Sequence, residues 1–363
     1  MKPLLLCASS SRTGPVEGLI SLAVELRKRG IDAHFGGDTV RPGENLAGQL
    51  AEAGVFWERE LRLSRKVRIA DVLHDARLLR SWTRAGRFDV LHAAFAHDHS
   101  LALWAKRRGV LVVRAAQRRV DVEAAALRLL ALRKSDGVVV HARSYRERLL
   151  RDLPEERVAY VPPSVDGARF TPGASELRRK WGIPSDVPLA GIVARMKPER
   201  GHRQLLRAFA VALRRVPEAR LVLVGRGEDE EALRALAPPQ VIFAGYTRGS
   251  ELTEAYRALD VAVWLREGND GGCRGVLEAM ACSVPVIAGS EGASGELVRD
   301  GVDGVVVDAQ SEESIASALS ALLGNPGRAR SLGASGRERA LTFTPARAAS
   351  ETLAFWERLR LRA

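Results

Sequence analysis

The 363-residue sequence contains no apolar run approaching the roughly 20 residues that a bilayer-spanning helix needs. Its first residues, Met1-Lys2-Pro3-Leu4-Leu5-Leu6, have too short an apolar stretch for a secretory signal, so retention in the cytoplasm is expected. Cysteine is scarce: Cys7, Cys273 and Cys282 are odd in number and lack metal-ligand spacing, and neither a disulfide framework nor a zinc site is expected. Aromatic residues make up only 5% and are not interleaved with the basic ones, which argues against base-stacking platforms. Trp82, Trp104 and Trp264 are expected to pack within helices and strands instead. There is no low-complexity tract and no sustained block of like charge, so the chain should be ordered nearly throughout. Neither a P-loop lysine pattern nor GxGxxG occurs, which removes the two commonest phosphate-loop fingerprints.

What is present is basic charge, unevenly distributed. The formal net charge is +12, and residues 1–170 carry 30 Lys/Arg against 20 Asp/Glu while the remainder carries 26 against 24. A field of this sign attracts an anionic membrane surface, an acidic acceptor or nucleic acid, and a merely solvated arginine-rich surface has the same signature. No nucleic-acid recognition motif accompanies it.

The length exceeds what one hydrophobic core usually supports, and two domains are expected. Residues 4–8 form an apolar run, residues 9–14 a polar loop, and Leu19, Leu22, Ala23 and Leu26 recur at helical spacing. The alternation returns with strands at 89–91, 110–113 and 138–140. A second series has strands at 189–193, 221–224, 241–243, 261–263, 285–287 and 304–307. Buried strands alternating with helices imply parallel sheets. Proline and glycine punctuation between residues 161 and 188 marks the connection, giving an N-terminal Rossmann-like domain over 1–169 and a C-terminal one over 170–344. The last helix, within 345–363, is expected to return to the first domain. Two doubly wound α/β domains facing each other across a cleft would bind ligands at strand C-terminal ends.

Three regions carry candidate chemistry. The small-residue loop from Ser9 to Gly18, between a strand and a helix N-terminus, suits either phosphate or an ordinary βα turn. The loop after residue 193, Ala194-Arg195-Met196-Lys197-Pro198-Glu199-Arg200-Gly201, delivers Arg195 and Arg200, which can bind a diphosphate bidentately or lie solvated. The third is the glycine-rich turn Gly268-Asn269-Asp270-Gly271-Gly272-Cys273, which opens into a helix bearing Arg274, Val276, Leu277 and Glu278. Asp270 could accept sugar hydroxyls or cap the helix, and Glu278 could meet another part of a ligand or be a surface charge. His97, Asp98 and His99 alternate charge and imidazole, but no third ligand in reach supports a metal.

These residues resemble the retaining family 4 glycosyltransferases. The resemblance rests on Asp270, seven intervening positions, then Glu278-Ala279-Met280-Ala281, together with the arginine loop. Val222-Leu223-Val224-Gly225-Arg226-Gly227 looks like the family's Val-Gly-x-Gly turn, and residues 241–246 look like its base-contacting strand and loop. The resemblance implies a GT-B fold and sugar transfer from a nucleoside diphosphate donor with retention, in cell-surface glycan or lipopolysaccharide-type synthesis. It places Glu278 on the donor ribose, Asp270 with the amides of Gly271, Gly272 and Cys273 on the sugar, and Arg195 with Arg200 on the diphosphate. The helix start at Arg274, Val276 and Leu277 would contribute to the phosphate site, and Tyr246, Thr247 and Arg248 would meet the base. Gly14 and Gly225 would let backbone approach the donor, while His97, Arg118 and Arg119 fall on the acceptor side. Asp270 stands where the family usually has glutamate and Arg200 where it has lysine; the segment after Val113 lacks the histidine many members carry. The arrangement requires no divalent metal and no cofactor besides the donor substrate. A glycan or glycolipid acceptor and peripheral contact with an anionic membrane are the expected partners. Nucleotide-sugar hydrolysis or epimerisation, or a non-catalytic polyanion-binding scaffold, remain the rival readings.

Overall fold

The computed structural model describes residues 1–9, 14–39, 46–64, 68–123, 126–247, 249–267 and 273–362. Contacts divide the chain into two compact units, one formed by Met1–Pro163 with Pro345–Ala363 and the other mainly by Ser164–Gly268 with Gly272–Thr344.

The first unit runs β1 (Pro3–Cys7), α1 (Gly14–Lys28), β2 (His34–Gly37), α2 (Leu46–Glu52), β3 (Phe56–Trp57), α3 (Ile69–Arg84), β4 (Val90–Ala93), α4 (Ala96–Ala105), β5 (Leu111–Ala116), α5 (Arg119–Val122), α6 (Ala126–Lys134), β6 (Gly137–Val140), α7 (Arg143–Leu149) and β7 (Val158–Tyr160). Its strands are parallel in the order β3-β2-β1-β4-β5-β6-β7, with Leu5 opposite both Phe35 and His92. Alternate side chains of β1 feed opposite faces of the sheet. Leu5 and Cys7 join α1, and Leu4 and Leu6 join a separate core with α3 and α4.

The second unit runs α8 (Leu177–Lys180), β8 (Leu189–Val193), α9 (His202–Ala212), β9 (Arg220–Val224), α10 (Glu230–Leu236), β10 (Val241–Gly245), α11 (Ser250–Arg257), β11 (Val261–Trp264), α12 (Arg274–Ala281), β12 (Val286–Gly289), α13 (Gly292–Leu297), β13 (Val305–Val307), α14 (Glu312–Leu323) and α15 (Pro326–Ala340). The order is β10-β9-β8-β11-β12-β13, again parallel.

The last helix, α16 (Pro345–Arg360), belongs to the first unit. Proline suits its start, where the missing N–H would be unsatisfied anyway. Ala349, Thr352, Phe355, Trp356 and Leu359 then form one buried face. Phe355, Trp356 and Leu359 enter the core of β1 and α1, and a side chain at Gly137 would run into Phe355. Both ends are tied down. Arg29 donates to the Ala346 carbonyl at 2.7 Å, and Arg360 pairs with Asp89 at 2.6 Å.

The core of the first unit is unusually polar at its centre. His92 on β4 is buried edge-on against the Trp356 ring, and burial pushes its pKa down to about 3. His99 shares a 2.6 Å hydrogen bond with Ser135 and is likewise pushed down to about 3 by burial. Both imidazoles are therefore neutral when folded and protonate near pH 6.5 when unfolded. The unfolded chain binds more protons below that pH, so their stabilising share is full above about 6.5 and is lost as the pH falls towards 3. His34, raised chiefly by its hydrogen bond to Glu58, works in the opposite sense and loses its share as pH rises through its folded value.

We therefore expect urea unfolding of the first unit to weaken between pH 6.5 and 5 by about 1.4 kcal/mol per pH unit for each buried histidine. His99→Gln should remove about one such increment from the slope. An unchanged slope in that variant would show that His99 is not a neutral buried group.

Candidate active site

Both sheets begin in their middles. From β1 the chain winds outward through β2 and β3, then returns to place β4 on the other side; β8, β9, β10 and β11 repeat the pattern. At each reversal the loops leaving the two central strands diverge, and open α/β sheets bind ligands in the gap this leaves at their C-terminal ends. The reversal points lie between β1 and β4 and between β8 and β11.

In the second unit the loops at this edge are locked by close backbone approach. Gly225 has φ 146°, and a Cβ there would overlap the Ala194 carbonyl; one at Gly227 would overlap the Met196 carbonyl. The Met196 N–H donates to the Arg226 carbonyl at 3.1 Å and the Gly225 N–H to the Gly245 carbonyl at 2.7 Å. The loops after β8, β9 and β10 thus form one layered ledge, with Tyr246 and Thr247 at its end and Tyr246 half exposed.

Arg195 projects from this ledge, exposed, and makes no hydrogen bond or ion pair among the described residues. Arg200 precedes Gly201, whose φ of 81° turns the chain into α9. Gly201 packs on Leu265 and Arg266 of the loop after β11, where a Cβ would come within 3.0 Å of the Leu265 Cβ. The Nε groups of Arg200 and Arg266 are both buried and unpartnered among the described residues. Nearby cations are spent locally: Lys197 on Glu199 and Glu228, Arg203 on Asp229. His202, buried beside Arg200, has both ring nitrogens unpartnered among the described residues, and burial followed by the Arg200 charge pushes it down to about 4. A neutral imidazole and two guanidinium groups therefore lie together at the β8/β11 gap, a combination that attracts anions.

Helix α12 begins at the same edge. Cys273, its N-cap, is left-handed at φ 47° and buried, and Gly275 is pressed so closely on Trp264 that a side chain would enter the indole. Glu278 is held rather than solvated: it accepts from the Tyr256 hydroxyl at 2.8 Å, lies 3.7 Å from Arg274, and its side chain is 12% exposed. Val276 and Leu277 are fully buried in the core, and the Val276 N–H donates to the Cys273 carbonyl at 2.9 Å. Their side chains are taken up by core packing. Glu267 accepts the Ala293 N–H at 2.8 Å and so anchors the loop after β11 to α13. Arg248, Asp270, Gly271 and Gly272 lie outside the described residues.

In the first unit Gly14 opens α1 and His97 sits in the first turn of α4, at the ends of β1 and β4 respectively. The His97-Asp98-His99 triplet is helical, so its members diverge by about 100° per residue. Asp98 is fully buried and accepts the Ala8 and Phe95 N–H groups at 3.1 Å, joining the two sides of the reversal. His99 turns to Ser135, while the His97 Nε2 is buried without a hydrogen-bond partner among the described residues. Arg118 is bound by Asp121 at 3.0 Å, and Asp121 also lies 3.2 Å from Arg114, a buried guanidinium that donates to the carbonyls of Ala93, Ala94 and Ala115. Arg119 pairs with Glu123 at 2.6 Å. Among the described residues no group of three His, Cys, Asp or Glu side chains is placed to hold a metal ion.

The family models for glycosyl transferases group 1 and for Glycosyltransferase Family 4 match residues 174–339 and 13–169. The chain belongs to this glycosyltransferase family, and its fold is GT-B, with two Rossmann-like domains. It is similar to the GDP-mannose-dependent alpha-(1-6)-phosphatidylinositol monomannoside mannosyltransferase of Mycolicibacterium smegmatis, with 34% identity over 57% of this chain and 58% of that one. It is also similar to the D-inositol 3-phosphate glycosyltransferase of Thermobispora bispora, with 30% identity over 71% and 68% of the two chains. The matches span about half to two thirds of the relatives' length. Among solved structures, Anabaena HepE in complex with UDP and glucose superposes with TM-score 0.82 at 17% identity, covering 98% of this chain and 99% of that one.

The layered ledge predicts a sharp asymmetry between glycines. Gly225→Ala should cost about 1–3 kcal/mol through backbone strain, more if the Ala194 carbonyl is displaced. Gly30→Ala, also at positive φ but with open space around it, should cost about 1 kcal/mol. Equal losses in urea melts of the two variants would refute the close approach.

Proposed function

We propose that this protein transfers a hexose from a nucleoside diphosphate sugar to an acceptor hydroxyl with retention of anomeric configuration. The observation that carries this reading is the pair of buried, open guanidinium donors of Arg200 and Arg266 at the β8/β11 reversal, with Arg195 exposed beside them. Positive charge there would bind the diphosphate and stabilise it further as the glycosidic bond breaks, since its charge grows at that moment. Glu278, oriented by Tyr256 and Arg274, would accept the ribose hydroxyls. Tyr246 and Thr247 at the end of the ledge, with Arg248, would meet the base. Asp270 with Gly271, Gly272 and Cys273 would hold the sugar.

Retention without a side-chain nucleophile implies attack by the acceptor hydroxyl on the face the diphosphate leaves, with a departing phosphate oxygen taking the proton. No divalent metal enters this scheme. In the first unit His97, Arg118 and Arg119 would serve the acceptor. The relatives named for phosphatidylinositol mannoside and inositol phosphate suggest a glycolipid or phosphorylated acceptor, and with it a place at the cytoplasmic membrane surface. GDP-mannose is the donor to test first.

Thermal unfolding against a panel of nucleoside diphosphates and their sugars should show a selective rise of the midpoint for one base. Glu278→Gln should diminish that rise, and Arg195→Ala and Arg200→Ala should each lower turnover on the matching donor about 100-fold or more. Normal turnover in all three variants would end the role assignment. Donor consumption without an acceptor product would move the reading to hydrolysis, and product of inverted configuration would remove the retaining mechanism.

A further inference from the structure

Trp104 is expected from the sequence to pack internally, yet it is 51% exposed on α4. It is not isolated. Ile69 and Leu73 on α3 are 77% and 42% exposed, and Leu127 and Leu130 on α6 are 81% and 50% exposed. Helices α3, α4 and α6 lie side by side on one face of the first sheet: the Thr83 hydroxyl donates to the Ala105 carbonyl at 3.2 Å, His99 meets Ser135, and Lys106 reaches the Lys134 carbonyl at 2.9 Å. The apolar side chains therefore share an outer surface rather than occurring singly.

The charged side chains that these helices expose are basic, although Arg133 at the end of α6 lies 3.7 Å from Asp152 and Lys106 after α4 pairs with Asp136 at 2.7 Å. On α3 the exposed stripe begun by Ile69 and Leu73 continues through Arg77, Arg80 and Arg84, and the Arg80 guanidinium lies 5.7 Å from the Trp104 ring. Arg107 and Arg108 follow α4, and Arg128, Arg133 and Lys134 are exposed on α6. The carboxylates of these helices are turned inward: Asp71, Asp75 and Asp98 are all buried. Among the described residues none of the outward positions of the three helices is acidic.

We propose that the outer face of α3, α4 and α6 docks on an anionic phospholipid surface. Nucleic acid would answer the arginines but leaves exposed leucine and isoleucine side chains no favourable place, whereas a bilayer interface takes both: the cations sit at headgroup phosphates and the apolar groups enter the acyl boundary. The pairing of Arg80 with Trp104 places an aromatic ring and a cation together, as the headgroup level favours. The proposal is independent of the donor reading, because vesicle binding needs no nucleotide and is measured without one.

Co-sedimentation of the full chain at about 0.1 M salt should show binding to vesicles of phosphatidylcholine mixed with phosphatidylglycerol and little to phosphatidylcholine alone. Replacing Arg77, Arg80 and Arg84 together by Gln should weaken partition about 100-fold, roughly fivefold per cation. Leu127→Ser with Leu130→Ser should weaken it about tenfold and abolish the part that survives high salt. Ile69→Ser with Leu73→Ser serves as a second apolar test, and unchanged thermal midpoints confirm folding. A control triple, Arg214, Arg328 and Arg330 to Gln on the second unit, should change partition no more than about twofold. Equal loss in both triples would reduce the effect to net charge and overturn the assignment of this face. Failure to bind the anionic vesicles, or binding to duplex DNA that the leucine changes leave untouched while lipid binding is absent, would overturn the lipid partner.

Discussion

A parallel sheet cannot be extended in both directions from its first strand without a reversal, and that constraint organises both halves of this molecule. Each strand-to-strand connection must return over a face of the sheet, so the loops on either side of β1 and of β8 part company at their C-terminal ends. The gaps are fixed by topology before any side chain is chosen. What the residues add is the lining. In the second unit Gly225 and Gly227 admit the backbone of a neighbouring loop and Gly201 admits the Leu265 side chain, so that the arginines stand on a ledge with few ways to deform.

The two gaps are furnished differently. In the first unit the buried charges at the reversal answer one another, although the neighbouring His97 Nε2 is left without a partner among the described residues: Asp98 takes two amides, and Arg114 takes three carbonyls and Asp121, which in turn fixes Arg118. In the second, the Nε atoms of Arg200 and Arg266 are buried without partners among the described residues. An unsatisfied buried donor costs about 1–3 kcal/mol, and an arriving anion returns that cost as binding energy.

The strands of the second unit were readable because the central ones are buried on both faces and all of them are nearly continuously apolar. The short β2, with His34-Phe35-Gly36-Gly37, and the two-residue β3 carry neither length nor alternation, and their existence depends on the pairing of β2 with β1 and of β3 with β2, which no local pattern encodes. Arg195, Arg200 and Glu278 were legible from a strand, a loop and a helix start in succession. His202, Arg266 and Tyr256 were not, because their importance lies in which of their atoms are buried and what they lack or touch. The same holds for Val276 and Leu277: a motif shows that a helix begins, but only packing shows which side of its first turn faces the sheet.

The return of α16 has a consequence for biogenesis. Phe355, Trp356 and Leu359 complete the core around β1 and α1, yet they emerge from the ribosome after every residue of the second unit. During synthesis the second unit can close on itself while the first still lacks part of its interior. A nascent chain stopped before residue 345 would present the surface meant for those three side chains to solvent, making the first half of the protein, though made earliest, the last to become proof against chaperones and proteases.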